Sequence, residues 1–266
     1  MAINIDKPDR WKADIAQSVD MYNEWFLRFA PQAFRKTRIT TTKEVEETLK
    51  ATSNLTFLSV TLLTTHPETL PTLRMCACPP LAVDRLVGLS GVSKNLVASL
   101  EGHKRIPPHM SPNELTVQLS KLMGTLSRLA DPDIFPWLDG NRKPDPEEVR
   151  RAATIVADRL CGAYANPIIR NAQEARQLSS IQKWLETRGY VRAKGVKGGD
   201  HRSLDAGTYA VRMNINVPLR SGAKTVNIPI DIIIMPKTAT RGDGPVLIEA
   251  KSAGDYTNVN KRWKYP

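Results

Sequence analysis

The sequence predicts an α/β (α+β) protein, with a helical region over residues 1–165 followed by a core that contains β-strands over residues 166–266. Before residue 165, apolar residues recur at steps of three and four, as on the buried face of a helix, and proline-rich joints separate the segments. After Asn166, one more helix precedes three segments that are rich in β-branched residues and bounded by glycine or proline.

Four helices have clear sequence patterns. They are predicted at Asp14 to Phe29, about Asn113 to Leu129, Pro146 to Tyr164, and Ile168 to Gly189, where glycine is a common signal for a helix C-terminus. The uniformly apolar stretch 55–63 is too short to assign. The three predicted strands are GTYAVRMNINVPL, KTVNIPIDIIIMP and GPVLIEAKS.

The composition is that of a soluble globular protein, with 41% hydrophobic and 24% charged residues. No apolar run is long enough to cross a bilayer and the first residues lack a secretory signal, so we expect a cytoplasmic protein. The three cysteines are odd in number and have no C-x-x-C spacing, which argues against a disulfide framework or structural zinc.

The net charge of +11 is concentrated in the C-terminal hundred residues. From Pro167 onwards there are 17 Lys and Arg against 8 Asp and Glu, whereas the preceding residues carry 21 against 19. A basic surface of this kind suits a polyanion such as DNA, because each neutralised phosphate releases condensed counterions. A basic face that serves only solubility stays open as the alternative.

Three charged residues stand in otherwise apolar predicted strands: Asp231 in PIDIIIMP, and Glu249 and Lys251 in VLIEAKS. By strand alternation, Glu249 and Lys251 share a face, and Asp231 lies opposite the face of Ile230, Ile232 and Ile234. If the two strands form a hairpin, Asp231 faces Glu249. Two converging carboxylates need a cation between them, and their oxygens suit Mg²⁺, beside which Lys251 can orient or deprotonate an attacking water.

Glu174 is the candidate fourth catalytic residue. It lies in line with Leu178, Ile181 and Leu185 at helical steps, on the stripe expected to face the sheet. A metal contact through water is one interpretation. An ordinary ion pair with Arg170 or Arg176 is the other.

The arrangement of helix, three strands, Asp231 and Glu249-Ala250-Lys251 resembles the PD-(D/E)xK nuclease core. The segments RNAQEARQLSSIQKWLETRGY, IPIDIIIMP and LIEAKSAGDYTNVNKR, and upstream LPTLRMCACPPLAVDRLVGLSGVSKNLVASLE, are similar to XamI-type type II restriction endonucleases.

The sequence departs from the usual PD-(D/E)xK pattern in two places. Ile230 separates Pro229 from Asp231, and the sequence ends about one short helix after Lys251, so we expect a core truncated after the E-x-K strand or completed by another chain.

The resemblance implies a central mixed sheet and Mg²⁺-dependent hydrolysis of phosphodiester bonds in double-stranded DNA at a specific sequence. It implies a restriction-modification system with a cognate DNA methyltransferase. By position, Asp231 and Glu249 are the implied metal ligands and Lys251 the implied catalytic lysine, while Glu174 matches the acidic residue that such cores often place on the first helix. Palindromic targets favour a homodimer.

Three segments are candidate DNA contacts. Residues 84–101 read as a helix-turn-helix in which Lys94 and Asn95 begin the recognition helix, with ordinary helix packing as the alternative. The Gly-rich basic stretch that holds Arg192, Lys194 and Lys197 can clamp the DNA backbone or be a solvated loop. Asn258 and Lys261, after Lys251, are candidate phosphate or base contacts, or part of a solvated helix start.

The prediction is therefore a type II site-specific deoxyribonuclease. A non-catalytic helix-turn-helix DNA-binding regulator and a PD-(D/E)xK nuclease of DNA repair or recombination stay open as alternatives.

Overall fold

A computed structural model describes residues 8–140, 142–193, 204–219, 225–240 and 243–250. Helices α1 to α8 and a short 3₁₀ turn precede the sheet in the chain. The helices are α1 Pro8–Ala51, α2 Val60–Thr65, α3 Leu70–Met75, α4 Val83–Ser90, α5 Lys94–His103, α6 Pro112–Leu129, α7 Pro136–Asp139 and α8 Pro146–Glu186, and the 3₁₀ turn is Pro67–Thr69. None of the described helices is long and apolar enough to cross a membrane.

The described strands form one mixed sheet in the order β1-β2-β3-β4. They are β1 Val191–Arg192, β2 Thr208–Pro218, β3 Thr225–Ile234 and β4 Val246–Ile248. β1 runs parallel to β2, and the other neighbours are antiparallel. The predicted fold class, a helical region followed by a mixed sheet, is confirmed, and the two-residue β1 is an addition that no sequence pattern indicated.

Two proline residues lie inside long helices. α1 continues through Pro31 to Ala51 and α8 continues through Pro167, so the predicted helix ends at Phe29 and Tyr164 and the predicted new start at Ile168 are wrong. A proline inside a helix removes one backbone hydrogen bond and costs about 3 kcal/mol. Burial of side chains such as Leu160 and Ala165 just before Pro167 offsets that cost.

The described residues group into two compact units. One unit is Ala30–Pro167, and the other contains the described parts of Met1–Phe29 and Ile168–Pro266. The predicted division at residue 165 lies close to the second of these limits, while the beginning of α1 groups with the sheet. The division into separate domains stays a prediction.

The all-helical unit is built around aromatic and leucine side chains. Trp137 and Phe135 are fully buried with their rings edge to face, and the Trp137 indole N–H donates to the Asn54 carbonyl at 2.8 Å. A buried guanidinium completes this core, because Arg74 donates to both carboxylate oxygens of Glu101 and to the Leu81 carbonyl. The Trp137 indole and the Arg74 guanidinium are thus paired, as a low-dielectric interior requires.

The sheet of the other unit is covered on both faces near the start of β2 and the end of β3. On one face Leu178 and Leu185 of α8 pack with Tyr209, Ile232 and Ile234. The opposite face holds a separate cluster that contains Leu204, Ala210, Met213, Ile215, Ile233 and Met235. Burial on both faces explains why the end of β3 reads as a continuous apolar run, and it fixes the strand next to Asp231.

Candidate active site

Asp231 lies in β3 at the point where β4 ends. β3 and β4 pair at Ile232 with Ile248, so the next step of the antiparallel register puts Asp231 opposite Glu249. Opposite residues of such a pair have Cβ atoms about 4.5–5.5 Å apart. The Asp231 carboxylate accepts a hydrogen bond from the Ala250 backbone N–H through Oδ2, at 2.7 Å. The half-buried Asp231 side chain is thereby attached to the residue that follows Glu249.

Both central strands reverse their faces at the position of Asp231. On β3, Ile232 packs on the α8 side and Ile230 on the opposite side, so the prediction that these two residues share a face is wrong. On β2, Val211 packs on the α8 side and Met213 on the opposite side. The residue between them, Arg212, has a left-handed backbone with φ of +53°. The left-handed backbone of Arg212 interrupts the alternation of side chains between the two faces of the sheet. A prediction from sequence assumes that this alternation continues through the whole strand.

An open cavity of about 590 Å³ adjoins Asp231. Its lining combines polar and apolar side chains from α8, β2 and β3, namely Asn171, Glu174, Ala175, Arg212, Asn214, Pro229, Ile230 and Asp231. The cavity therefore brings together two of the predicted catalytic residues, Asp231 and Glu174.

Glu174 forms an ion pair with Arg212. The Arg212 Nη2 to Glu174 Oε1 distance is 2.7 Å, and about half of each side chain is exposed. The predicted alternative of Arg176 as the partner is wrong, because Arg176 lies over the Trp25 ring at 5.4 Å and donates to the Met21 carbonyl. The stripe below Glu174 is as predicted, since Leu178 and Leu185 are buried against the sheet.

Glu249 directly follows β4 and is exposed. Its neighbours Ile248 and Ala250 both pack on the α8 side of the sheet, which agrees with the alternation predicted for this strand. Lys251 lies outside the described residues. Within the residues that the structure describes, no group of three or more His, Cys, Asp or Glu side chains is close enough to hold a metal ion.

The oxygen donors at this place fit a hard divalent cation. The bond from Ala250 uses Oδ2 of Asp231, and Oδ1 is the second oxygen of the same carboxylate. The register puts Glu249, on the neighbouring strand, at the position opposite Asp231. Two carboxylates that complete their coordination shell with water are a usual environment for Mg²⁺.

Two helices joined by a short turn, α4 and α5, span the residues 84–101 for which a helix-turn-helix was predicted. Gly91, with φ of +61°, ends α4, and Ser93 precedes α5. Ser93 makes no side-chain cap; its backbone N–H donates to the Gln118 side chain at 2.8 Å. Lys94 and Asn95 are exposed, and Lys94 forms an ion pair with Asp84 at 3.1 Å.

The remaining DNA-contact candidates are described only in part. Arg192 lies exposed in β1. Lys194, Lys197, Asn258 and Lys261 lie outside the described residues. Arg212 is a cavity residue that sequence analysis missed, because an arginine in an alternating strand reads as an ordinary exposed position.

Residues 53–265 match the model of the XamI restriction endonuclease family. The chain belongs to that family. It is also 47% identical to the type II restriction enzyme SalI of Streptomyces albus G over 262 residues, which are 98% of this chain and 82% of that protein. No solved structure matches the chain significantly.

Membership of the XamI family confirms the resemblance stated from the sequence. It also confirms the predicted class of enzyme, a restriction endonuclease, which hydrolyses DNA at a specific sequence. Restriction endonucleases generally use a divalent metal ion. The DNA-binding regulator and the repair nuclease are thereby set aside as descriptions of this chain.

Proposed function

We propose that this XamI-family chain is a type II site-specific deoxyribonuclease that uses Mg²⁺, held by Asp231 and Glu249. The observation that supports this proposal best is the pairing of β3 with β4, which puts these two carboxylates at opposite positions of neighbouring strands. The hydrogen bond from Ala250 N–H to Asp231 supports that register beside Glu249.

Asp231 and Glu249 would hold Mg²⁺, which would supply positive charge against the extra negative charge of the phosphate in the transition state. The role of the strands is to fix the direction of the carboxylates before substrate arrives. Asp231 is held by the Ala250 amide, and the buried Ile232 next to it anchors β3. A carboxylate fixed in this way loses little freedom when it binds an ion.

Lys251 is the proposed catalytic lysine. It stands two positions after Glu249, the spacing at which strand residues share a face. Its side chain either accepts a proton of the attacking water as a neutral amine or, as an ammonium group, offsets the charge of the phosphate, while the water oxygen forms a new P–O bond and the ester P–O bond to the leaving sugar oxygen breaks. Glu174 lies on the opposite wall of the cavity and acts in support of the Asp231 carboxylate.

The proposal extends to the partners. The substrate is double-stranded DNA with a short, palindromic sequence, read by a homodimer whose twofold axis coincides with that of the site. The enzyme works in the cytoplasm beside a cognate methyltransferase that protects the same sequence. Lys94, Asn95, Arg192, Lys194, Lys197, Asn258 and Lys261 are the proposed DNA contacts.

Incubation of supercoiled plasmid with the protein and Mg²⁺ tests this function. We expect discrete fragments whose ends share one sequence. Lys251→Ala is expected to abolish cutting while binding to the mapped site stays within a few-fold. A protein that retards DNA in a gel without cleaving it under any divalent ion contradicts the proposal.

A further inference from the structure

Arg212 has a backbone conformation that arginine rarely adopts. Its φ of +53° lies in the left-handed region, where the Cβ atom crowds the following carbonyl group. The register of β2 and β3 pairs Val211 with Ile232 and Met213 with Ile230, so Arg212 occupies the position opposite Asp231. Such an outlier persists only where the surrounding structure holds it, and outliers of this kind concentrate at functional sites.

The Arg212 guanidinium lies in the same cavity as Asp231. It forms its ion pair with Glu174 across the cavity, with 56% of the Arg212 side chain exposed. Ion pairs between exposed side chains contribute little free energy, so a stronger anion can displace Glu174 at small cost.

A phosphate group is the anion that the guanidinium of Arg212 is best suited to bind in place of the Glu174 carboxylate. Its planar fork can donate two parallel hydrogen bonds to the non-bridging oxygens of a phosphodiester, a geometry that lysine lacks. Apart from Arg212, the charged side chains of the cavity wall are the carboxylates Glu174 and Asp231, which repel a phosphate. A positively charged side chain such as Arg212 is therefore needed to offset this repulsion when the DNA backbone approaches the cavity.

We propose that Arg212 binds a phosphate of the DNA backbone at the cleavage site, and that it exchanges its ion pair with Glu174 for this phosphate when DNA enters. The proposal rests on the proposed function, since it takes the cavity beside Asp231 as the cleavage site. Arg212 then stabilises the phosphate oxygens, and Glu174 is released from its partner.

The backbone of Arg212 provides a sharp test. Arg212→Gly removes the guanidinium but keeps a residue that adopts positive φ without strain, so the fold is expected to be retained. The single-turnover cleavage rate is expected to fall about 100-fold or more, as on removal of one donor to a transition-state oxygen. Arg212→Lys is the matched variant that keeps the charge but loses the fork, and we expect an intermediate rate.

A second measurement does not depend on cleavage. In buffer without divalent ions, the affinity for a duplex with the mapped site is measured between about 50 and 200 mM salt, and Arg212→Gly is expected to reduce the slope of log K against log[salt] by about 0.9. Glu174→Gln removes the competing carboxylate and is expected to tighten binding about two- to fivefold. In the Arg212→Gly background this tightening is expected to disappear.

A folded Arg212→Gly protein that cuts within threefold of the wild-type rate, with an unchanged salt slope, overturns the inference. Asp231→Asn in the same assay separates this result from a failure of the proposed function. If Asp231→Asn is inactive while Arg212→Gly is active, only the role of Arg212 is refuted. If both variants cut normally, the cavity is not the cleavage site.

Discussion

The carboxylate of Asp231 accepts a hydrogen bond from the backbone N–H of Ala250, at 2.7 Å. This contact joins β3 to the segment after β4, directly beyond the terminal pair of the two strands, Ile232 with Ile248. The residue that precedes Ala250 is Glu249. A single hydrogen bond therefore fixes the position of one proposed ligand relative to the strand that carries the other.

Asp231→Asn is expected to lower the cleavage rate about a thousandfold while the protein stays folded. An amide keeps the oxygen that accepts from Ala250 but loses the negative charge that holds the cation. Glu249→Gln is expected to raise the Mg²⁺ concentration needed for half-maximal cleavage at least tenfold, an estimate within the range for weakened metal sites. Plasmid cleavage over a Mg²⁺ series measures both effects.

Asp139→Asn is the matched control for these carboxylate variants. Asp139 is exposed at the end of α7, in the helical unit. Its substitution is expected to leave the rate and the Mg²⁺ requirement unchanged. Full activity of Asp231→Asn at low Mg²⁺ would show that the carboxylate holds no ion.

The helix-turn-helix gives a prediction about DNA affinity. Lys94→Ala is expected to weaken binding to all sequences and to lower the salt slope by about 0.9, because a lysine at this place meets phosphate. Asn95→Ala is expected to cost about 1–3 kcal/mol for the specific site alone, because asparagine reads a base edge. Fluorescence anisotropy with specific and unrelated duplexes measures the two patterns.

Lys36→Ala on α1 is the control for Lys94→Ala, since both lysines are exposed in the same unit. The Lys94–Asp84 ion pair is exposed and contributes little to stability, so unfolding of the Lys94 variant should match that of the wild type. If the Lys94, Asn95 and Lys36 variants all bind DNA with equal affinity, α4 and α5 serve only in packing and do not contact DNA.

The buried ion pair of Arg74 and Glu101 is expected to be the most sensitive polar contact of the helical unit. Only 7% of the Arg74 side chain and 16% of the Glu101 side chain are exposed. Arg74→Met leaves the Glu101 carboxylate buried without its partner, which is expected to cost about 3–5 kcal/mol of unfolding free energy. Urea denaturation measures this loss.

The double variant Arg74→Met with Glu101→Leu tests whether the unpaired charge of Glu101 causes this loss of stability. Replacement of both partners by apolar residues removes the stranded charge, so most of the lost stability is expected to return. If the double variant is as unstable as the sum of the two single variants, packing of the Arg74 stem rather than its charge stabilises this part of the core.

The start of α8 gives a prediction about pH. The side-chain hydrogen bond from Arg142 and the backbone N–H of Asp145 lower the pKa of Glu148 to about 2. A carboxyl group whose pKa is lower in the folded state stabilises the fold above its unfolded pKa, about 4.3, and loses this effect as pH falls towards 2. The stability difference between wild type and Glu148→Gln is therefore expected to be constant above about pH 5.5 and to shrink between pH 4.5 and 2.

Equilibrium unfolding of both proteins at a series of pH values checks this dependence. Glu147→Gln is a suitable comparison, because the neighbouring Glu147 forms an exposed ion pair with Arg150, at 2.7 Å. A stability difference for Glu148→Gln that grows as the pH falls would contradict the proposed direction of the pKa shift.

Much of the architecture follows from local sequence signals. The periodicity of α6, the long strands β2 and β3 and the two helices around Gly91 depend on side chains that are close in sequence, and each appears where its pattern predicts it, whereas β4 covers only Val246–Ile248 of its predicted segment. The same holds for the apolar stripe below Glu174, since helical spacing alone decides which residues share a face. Family membership was also visible in the sequence, because the motif residues keep their order and spacing.

Tertiary structure decided the features that depend on contacts between distant segments. Burial offsets the cost of Pro31 and Pro167, so three predicted helices belong to the two longer helices α1 and α8. The reversal of faces at Arg212 and Asp231 arises because β2, β3 and α8 pack together, and no residue pattern within one strand records it. The ion pair of Glu174 with Arg212 also depends on this packing, because the two residues are 38 positions apart in the chain and lie on different elements, α8 and β2.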